Sequence, residues 1–494
     1  MSGHSTTILI TLVLYKLLLV GVGIWASRRS KSESDFLVAG QGLGPWVSGL
    51  SYAASTSSAW VLIGFTGFVY ANGLSALWMI PGIWGGYITV WLLFGPRLRA
   101  ETEAKGHVTL TDFLVADLGG PMRRAIAWTA TAFIVFCFVF YIAAQFGAAA
   151  NAFSSQFEMG RLEAVLVGSA IILVYSLLGG FWAVSLTDTI QGALMAVVAI
   201  LLPTAAFLAS GGFGGLAEAI AQTPASYQSM TGGLAPHLFL GFVLGVWGVG
   251  VGALGQPHLL VRLMAVKDED ARQRGFAIAM AWAVIIYIGM TTLALSARAL
   301  LGEGATGESL FYQLAADLLP PVIAGIVIAA VLSAIMSTVD SILLSAAAAI
   351  SHDTGLAARR PRLAVLFARL AMVLIAVIAV WLTLSVPASV FSRVLFAWAA
   401  LGAAFGPIVL VKVLGRSPSA GAIWWGMVSG FALTVFFNAL GQMPEQSGLV
   451  EMLRQLAILP GDPFERVFPW VPALAILVLG SRKASLPRED KVSQ

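Results

Sequence analysis

Ser51-Tyr-Ala-Ala-Ser-Thr-Ser-Ser-Ala-Trp60 sets five aliphatic hydroxyls and a tyrosine in the middle of an otherwise apolar run, residues 44–70. Such a run is long enough to cross a bilayer, which takes about 20 mostly apolar residues. Polar side chains at its centre mark a place where a membrane helix can unwind and present oxygen atoms to a cavity. A second interruption, Gly245-Val-Trp-Gly-Val-Gly-Val-Gly-Ala-Leu-Gly-Gln-Pro257, falls inside the apolar run 236–260. Either stretch alone would also suit a small-residue packing face. Five apolar runs separate their starts, the spacing of two five-helix repeats that each begin with a broken helix, 44–210 and 236–413. At matched positions the two breaks point to a binding site near the bilayer midplane.

Composition agrees. Of 494 residues 59% are hydrophobic and only 52 are charged, or 11%, where a soluble domain carries roughly 25%. So few charges cannot solvate several soluble domains, and so much apolar surface excludes a disordered chain. The 52 glycines suit close helix packing in lipid. The fold class is therefore an all-α integral membrane protein. Thirteen apolar runs are spans: 5–26, 44–70, 74–96, 125–152, 164–179, 186–210, 236–260, 275–299, 320–349, 363–384, 389–413, 418–440 and 467–480. No Lys or Arg precedes the first run, whereas Arg28, Arg29 and Lys31 follow it, so it reads as a span and not a cleaved leader.

With the N-terminus outside and the C-terminus inside, the inner segments hold 21 of the 28 Lys and Arg residues, Arg262, Arg272 and Lys412 among them. Five fall outside, and Lys16 and Arg369 lie within spans. That bias is the positive-inside rule. The net charge of +4 thus reflects topology and gives no support to nucleic-acid binding. Cys137 is the single cysteine, the five histidines have no metal-ligand spacing, and no phosphate-binding loop is present.

The ninth run carries Ser333-Ala-Ile-Met-Ser-Thr-Val-Asp-Ser341. Ser337, Asp340 and Ser341 stand at i, i+3 and i+4, so one helix face presents two hydroxyls and a carboxylate, with Thr338 beside them. An ionised Asp at mid-bilayer costs about 2.5–3.5 kcal/mol on insertion scales, which implies a cavity or a cation nearby. Asp188, in Leu186-Thr-Asp-Thr-Ile-Gln191, is a second such carboxylate or else a helix cap at the membrane surface. Hard cations favour the carbonyl, hydroxyl and carboxylate oxygens these segments offer.

These stretches resemble the sodium:solute symporter family, and within it the bacterial proline-type members. The resemblance covers nearly the whole chain. Its motifs are Gly40-Gln-Gly-Leu-Gly-Pro45 with the broken helix after it, Gly179-Gly-Phe-Trp-Ala-Val-Ser-Leu-Thr-Asp-Thr-Ile-Gln191, Gly255-Gln-Pro-His-Leu-Leu-Val-Arg262, Met336-Ser-Thr338 and Ala397-Trp-Ala-Ala-Leu-Gly-Ala-Ala-Phe-Gly-Pro407. It implies a leucine-transporter-like core of ten helices in a 5+5 inverted repeat. One helix (5–26) precedes the core, two follow (418–480), and 481–494 form a cytoplasmic tail.

The resemblance also implies a co-transported Na+ on the carbonyls of Ala54, Ser57 and Ala334 and the hydroxyls of Ser337 and Thr338. A second sodium would fall on Asp188, Ser337, Asp340 and Ser341. The solute positions are Thr56, Ser58, Ala59, Trp60, Tyr141, Trp247, Val249, Ala253 and Gln256. Proline-type members carry an aspartate where this chain has Thr56, a glycine where it has Ala59, and aromatic residues at Val249 and Ala253, while Trp60 and Tyr141 match. The implied activity is sodium-coupled import of a small organic solute by alternating access. L-proline leads; another small amino acid or a monocarboxylate is the alternative. A channel, a membrane enzyme and a solute sensor lack, respectively, a continuous polar path, a catalytic cluster and an output domain. The expected surroundings are a bacterial inner membrane, with the lipid bilayer, sodium and a small-molecule substrate as partners, no nucleic acid and no obligate protein partner.

Overall fold

The computed structural model describes residues 3–27, 33–157, 159–177, 180–305, 309–386, 390–445 and 447–483. Arg28, Arg29, Lys31, Gly179, Arg488, Lys491 and the tail beyond 483 lie outside them. The protein is almost entirely helical, and helix forms in every one of the thirteen apolar runs. In chain order the principal helices begin with α1 (Gly3–Ser27), α2 (Pro45–Ala59, prolonged through Trp60–Phe65 and Thr66–Asn72) and α3 (Met79–Ile88, prolonged through Thr89–Phe94 and Gly95–Lys105). There follow α4 (Leu110–Val115), α5 (Gly120–Phe157), α6 (Arg161–Ser176), α7 (Phe181–Ala209), α8 (Pro236–Gly252), α9 (Pro257–Met264) and α10 (Glu269–Leu301). The last are α11 (Pro321–Ala348, prolonged through Ala349–Asp353), α12 (Ala364–Ser385), α13 (Val390–Val413), α14 (Ala420–Gly441) and α15 (Trp470–Leu479).

Among the described residues ten helical stretches are long and apolar enough to cross a membrane, and one of them, Pro45–Lys105, holds two of the thirteen runs. Helices α6 and α15, with 16 and 10 residues, fall short of that length. Local chemistry fixes the ends. Proline opens α2, α8, α9 and α11, where its missing N–H is no loss. Side-chain oxygens of Thr109, Asp268 and Ser419 cap α4, α10 and α14. One small antiparallel ribbon, Arg416–Pro418 against Ser481–Lys483, ties the end of α13 to the end of α15.

Packing follows a recurring scheme. Helix α2 lies on α10 and α7, and α8 lies on α3 and α13. Likewise α7 packs on α11 as α13 packs on α5, and α5 on α6 as α11 on α12. Every relation maps onto its partner when α2, α3, α5, α6 and α7 are exchanged for α8, α10, α11, α12 and α13. Helix α1 stands outside this scheme, against α11 and α7. The middle of α11 is enclosed, with Ser333, Ser337, Thr338, Asp340 and Ser341 all buried.

Three basic residues assigned to the inner surface by charge counting are buried instead: Arg262, Arg272 and Lys412. Lys412 donates to the Phe113 carbonyl at 2.6 Å, and Arg272 donates to the Trp91 carbonyl. Lys412 thereby satisfies a backbone oxygen in the last turn of α4, and Arg272 one in the interior of α3, uses of basic side chains that a loop count cannot register.

Candidate ion and solute site

Both interruptions are breaks. In α2 the backbone leaves the helix at Ser58 (φ 46°, ψ −172°), a conformation a side-chain-bearing residue adopts only when its surroundings impose it. Just before, the Thr56 hydroxyl donates to the Tyr52 carbonyl at 2.7 Å, competing with the helix ladder. Just after, the Ser58 hydroxyl accepts the Trp60 N–H at 3.0 Å and Gln145 Oε1 accepts the Ala59 N–H at 3.2 Å. In the second break α8 tightens into a turn at Ala253–Gly255, Gln256 is extended (φ −84°, ψ 110°) and Pro257 starts α9. Gln256 Nε2 donates to the carbonyls of Gly252 and Trp398 at 3.0 and 2.9 Å, tying the break to α13. A Cβ on Gly255 would stand 2.4 Å from the Leu401 carbonyl oxygen, so that approach requires glycine.

Between the first break and α11 lies a buried cluster of oxygens. Ser337 Oγ is 3.4 Å from the Ala54 carbonyl oxygen and 3.2 Å from that of Ala334. Thr338 Oγ1 is 3.0 Å from the Ala334 oxygen and 3.3 Å from the Ser55 oxygen. Four of the five main sodium positions therefore come together. The fifth, Ser57, lies on the last turn before Ser58; its carbonyl accepts the Trp60 N–H, and its hydroxyl is buried without a hydrogen-bond partner among the described residues. The set is neutral and all oxygen, the chemistry a hard cation takes.

The four residues assigned to a second sodium are divided between two hydrogen-bond systems. Asp188 is no cap at the membrane surface: it lies in the eighth position of α7 with no exposure. Its Oδ2 accepts from Arg262 Nη2 and Ser51 Oγ, both at 2.8 Å, and from Ser55 Oγ at 3.3 Å. The same guanidinium donates to Ser55 Oγ, Ser51 Oγ and Ser341 Oγ. Asp340 belongs elsewhere: its Oδ1 accepts the Ser176 hydroxyl of α6, and its Oδ2 is buried without a hydrogen-bond partner among the described residues. Charge counting hid Arg262; its place in Gly255-Gln-Pro-His-Leu-Leu-Val-Arg262, six residues past the extended Gln256, was the available signal.

A cavity of about 360 Å³ lies against both breaks. Thr56, Trp60, Tyr141, Val249 and Ala253 line it as the sequence indicates, joined by Tyr87 of α3, Tyr287 of α10 and Trp398 of α13. No lining residue is charged. Trp398 Nε1 donates to the Val249 carbonyl at 2.7 Å, and Phe391 stacks on Trp60 at 6.0 Å between ring centres. Four expected solute residues are absent from the wall. Trp247 is 39% exposed, its Nε1 bonded to the Trp78 carbonyl; two residues from Val249, it turns about 200° round the helix. The Ser58 hydroxyl, the Ala59 N–H and Gln256 Nε2 hold the breaks, as above, while Gln256 Oε1 is buried without a hydrogen-bond partner among the described residues.

A further cavity, about 420 Å³, has Ser341, His258 and Val261 at one end and Thr109 and Asp353 at the other. Beside Asp353, Asp112 Oδ2 stands 3.0 Å from His352 Nε2, and Thr109 Oγ1 donates to Asp353 Oδ1 at 2.7 Å. Burial opposes ionisation of Asp112, but the His352 hydrogen bond and charge outweigh it and hold its carboxyl below the usual range.

Two broken helices, an oxygen cluster at one break and a cavity against both make this a multi-pass membrane carrier. The chain belongs to the sodium:solute symporter family, whose profile matches residues 36–430. The sodium/proline symporter of Escherichia coli K12 is 32% identical over 462 residues, covering 91% of this chain and 90% of the relative. An osmoregulated proline transporter of Bacillus subtilis is 31% identical over 459 residues, 91% and 92% of the two chains. Among solved structures, a substrate-bound, outward-open sodium-coupled sialic acid symporter superposes with a TM-score of 0.74 at 16% identity, over 97% of this chain and 99% of that one. MhsT in complex with L-phenylalanine gives 0.52 at 14%, over 89% and 99%. At those identities the likeness concerns the fold, which is leucine-transporter-like.

Proposed function

We propose that this protein is a sodium-coupled symporter that imports a small organic solute, L-proline first among candidates, across a bacterial cytoplasmic membrane. The observation that carries the reading is the oxygen cluster joining the α2 break to α11. Sodium would be held by the carbonyls of Ala54, Ser57 and Ala334 and the hydroxyls of Ser337 and Thr338, bridging the two helices. Proline is favoured because the relatives at 31–32% identity are proline transporters. The neutral wall, with Thr56 in place of a carboxylate, keeps another small amino acid or a monocarboxylate as the second reading.

The recurring packing supports two five-helix repeats, 44–210 and 236–413, with 5–26 before them, 418–480 after them, and 481–494 as the tail. The charge bias supports thirteen crossings with the N-terminus outside. In alternating access, sodium would stabilise the outward-open form, and the solute would bind between the breaks under the Trp60–Phe391 stack. The cavity from Ser341 to Asp353 would be the way out. One sodium crossing 100 mV supplies about 2.3 kcal/mol, roughly 50-fold accumulation at about 1.36 kcal/mol per decade. A second sodium on Asp188, Ser337, Asp340 and Ser341 would have to coexist with Arg262. Nothing is covalently changed, so the protein is not an enzyme.

Uptake of labelled proline into proteoliposomes, with and without an inward sodium gradient, tests the reading. Sodium-driven accumulation is expected. Accumulation of another amino acid or a carboxylate, uncompeted by proline, would move the assignment to the second reading.

A further inference from the structure

Lys16 sits in the middle of α1, the helix that precedes the residues matching the family. Eleven to thirteen residues separate it from either end of α1, roughly 16–20 Å at the helical rise. A lysine stem cannot bring its ammonium to either membrane surface over that distance, so snorkelling is closed to it. The side chain turns instead onto α11, where its ammonium meets the Met336 sulfur. Met336 and Asp340 stand at i and i+4 on one face of α11. The adjoining Tyr15 hydroxyl bonds Ser333 Oγ at 2.6 Å, one turn further along that face. Thus α1 is pinned by Tyr15 and Lys16 to the face of α11 that carries Asp340. Asp340 has one oxygen on Ser176 and the other buried with no hydrogen-bond partner among the described residues. The Lys16 ammonium, resting on Met336, therefore lies one helical turn of α11 from Asp340.

We propose that Lys16 is the resident counter-ion of Asp340, filling the electrostatic place a second co-transported cation would take, so that one sodium and not two binds per carrier. The proposal rests on the sodium-symport reading above. Asp188 has its own resident cation in Arg262, so each buried carboxylate near the ion cluster is neutralised by the chain itself. The bound sodium is then left to the neutral oxygen cluster.

The test counts radiolabelled sodium bound at saturation to the purified full-length protein, with no solute present. Wild type is expected to bind one ion, Lys16→Met two, and Lys16→Met/Asp340→Asn one again. Lys16→Arg, which keeps the charge, and Asp340→Asn alone are both expected to bind one. Two ions on wild type, or loss of the single ion in Asp340→Asn, overturns the proposal. So does a count of one for Lys16→Met, provided that variant is folded by its melting transition. Should it fail to fold, the wild-type and Asp340→Asn counts decide. A wild type that binds no saturable sodium overturns the symport reading itself, and this proposal with it.

Discussion

Arg262 and Asp188 meet at 2.8 Å between α9 and α7, and neither side chain is open to solvent. The guanidinium also reaches Ser51 and Ser55 of α2 and Ser341 of α11, so one cation joins four helices around the ion cluster. Removing one member of a buried pair strands the other charge, at a cost of about 3–5 kcal/mol. Asp188→Asn and Arg262→Gln should each lower the melting temperature of the purified protein sharply. The double variant should recover much of the loss, because its buried side chains are neutral. Additive losses in that double-mutant cycle would mean the two do not act as a pair.

Thr338→Ala removes one hydroxyl from the oxygen cluster with little change of volume. A ligand to a charged group contributes about 1.5–3 kcal/mol, so the sodium concentration for half-maximal uptake should rise roughly ten- to a hundredfold. The solute's own half-saturation, measured at saturating sodium, should move much less. An unaltered sodium dependence would remove Thr338 from the ion site.

Ala253 and Val249 face the cavity one helical turn apart. Ala253→Phe would put a ring into a space of about 360 Å³. Solute uptake should fall by at least roughly tenfold, since overpacked sites relax poorly, while sodium binding measured directly stays near wild type. Parallel loss of both would show that the cavity and the ion cluster had collapsed together.

Beside His352, next to the cavity that reaches Asp353, the depressed Asp112 carboxyl links stability to pH. A carboxylate held below its ordinary value contributes above that value, about 3.9, and its contribution disappears as pH falls through the lowered one. His352→Ala should remove that contribution, at most about 1 kcal/mol for a partly screened pair. The melting temperatures of wild type and variant should therefore differ at neutral pH and converge in strong acid. A difference that persists there would point to packing.

The apolar runs and both breaks were legible because bilayer length and local polarity are properties of contiguous sequence. Ser337 and Thr338 were legible because helical spacing puts them on neighbouring faces, and Ala334 only through the family resemblance. Three kinds of residue escaped. Arg262 was read as a loop cation, since a positive charge near a span end looks the same whether it meets water or a buried carboxylate. Trp247 was drawn toward the site by its proximity to the break, although helix phase turns it away. Tyr87, Tyr287 and Trp398 come from three other helices, and only tertiary packing brings them to one wall.

Thr56 lines the solute cavity with its side chain, and its preceding neighbour, Ser55, gives its carbonyl to the Thr338 hydroxyl. Adjacent residues just before the helix leaves its course at Ser58 thus face the cavity by side chain and the oxygen cluster by backbone. Evolution can retune a wall of this kind for a new solute by exchanging side chains. The ligands proposed for the ion, being largely peptide oxygens, would pass through such changes untouched.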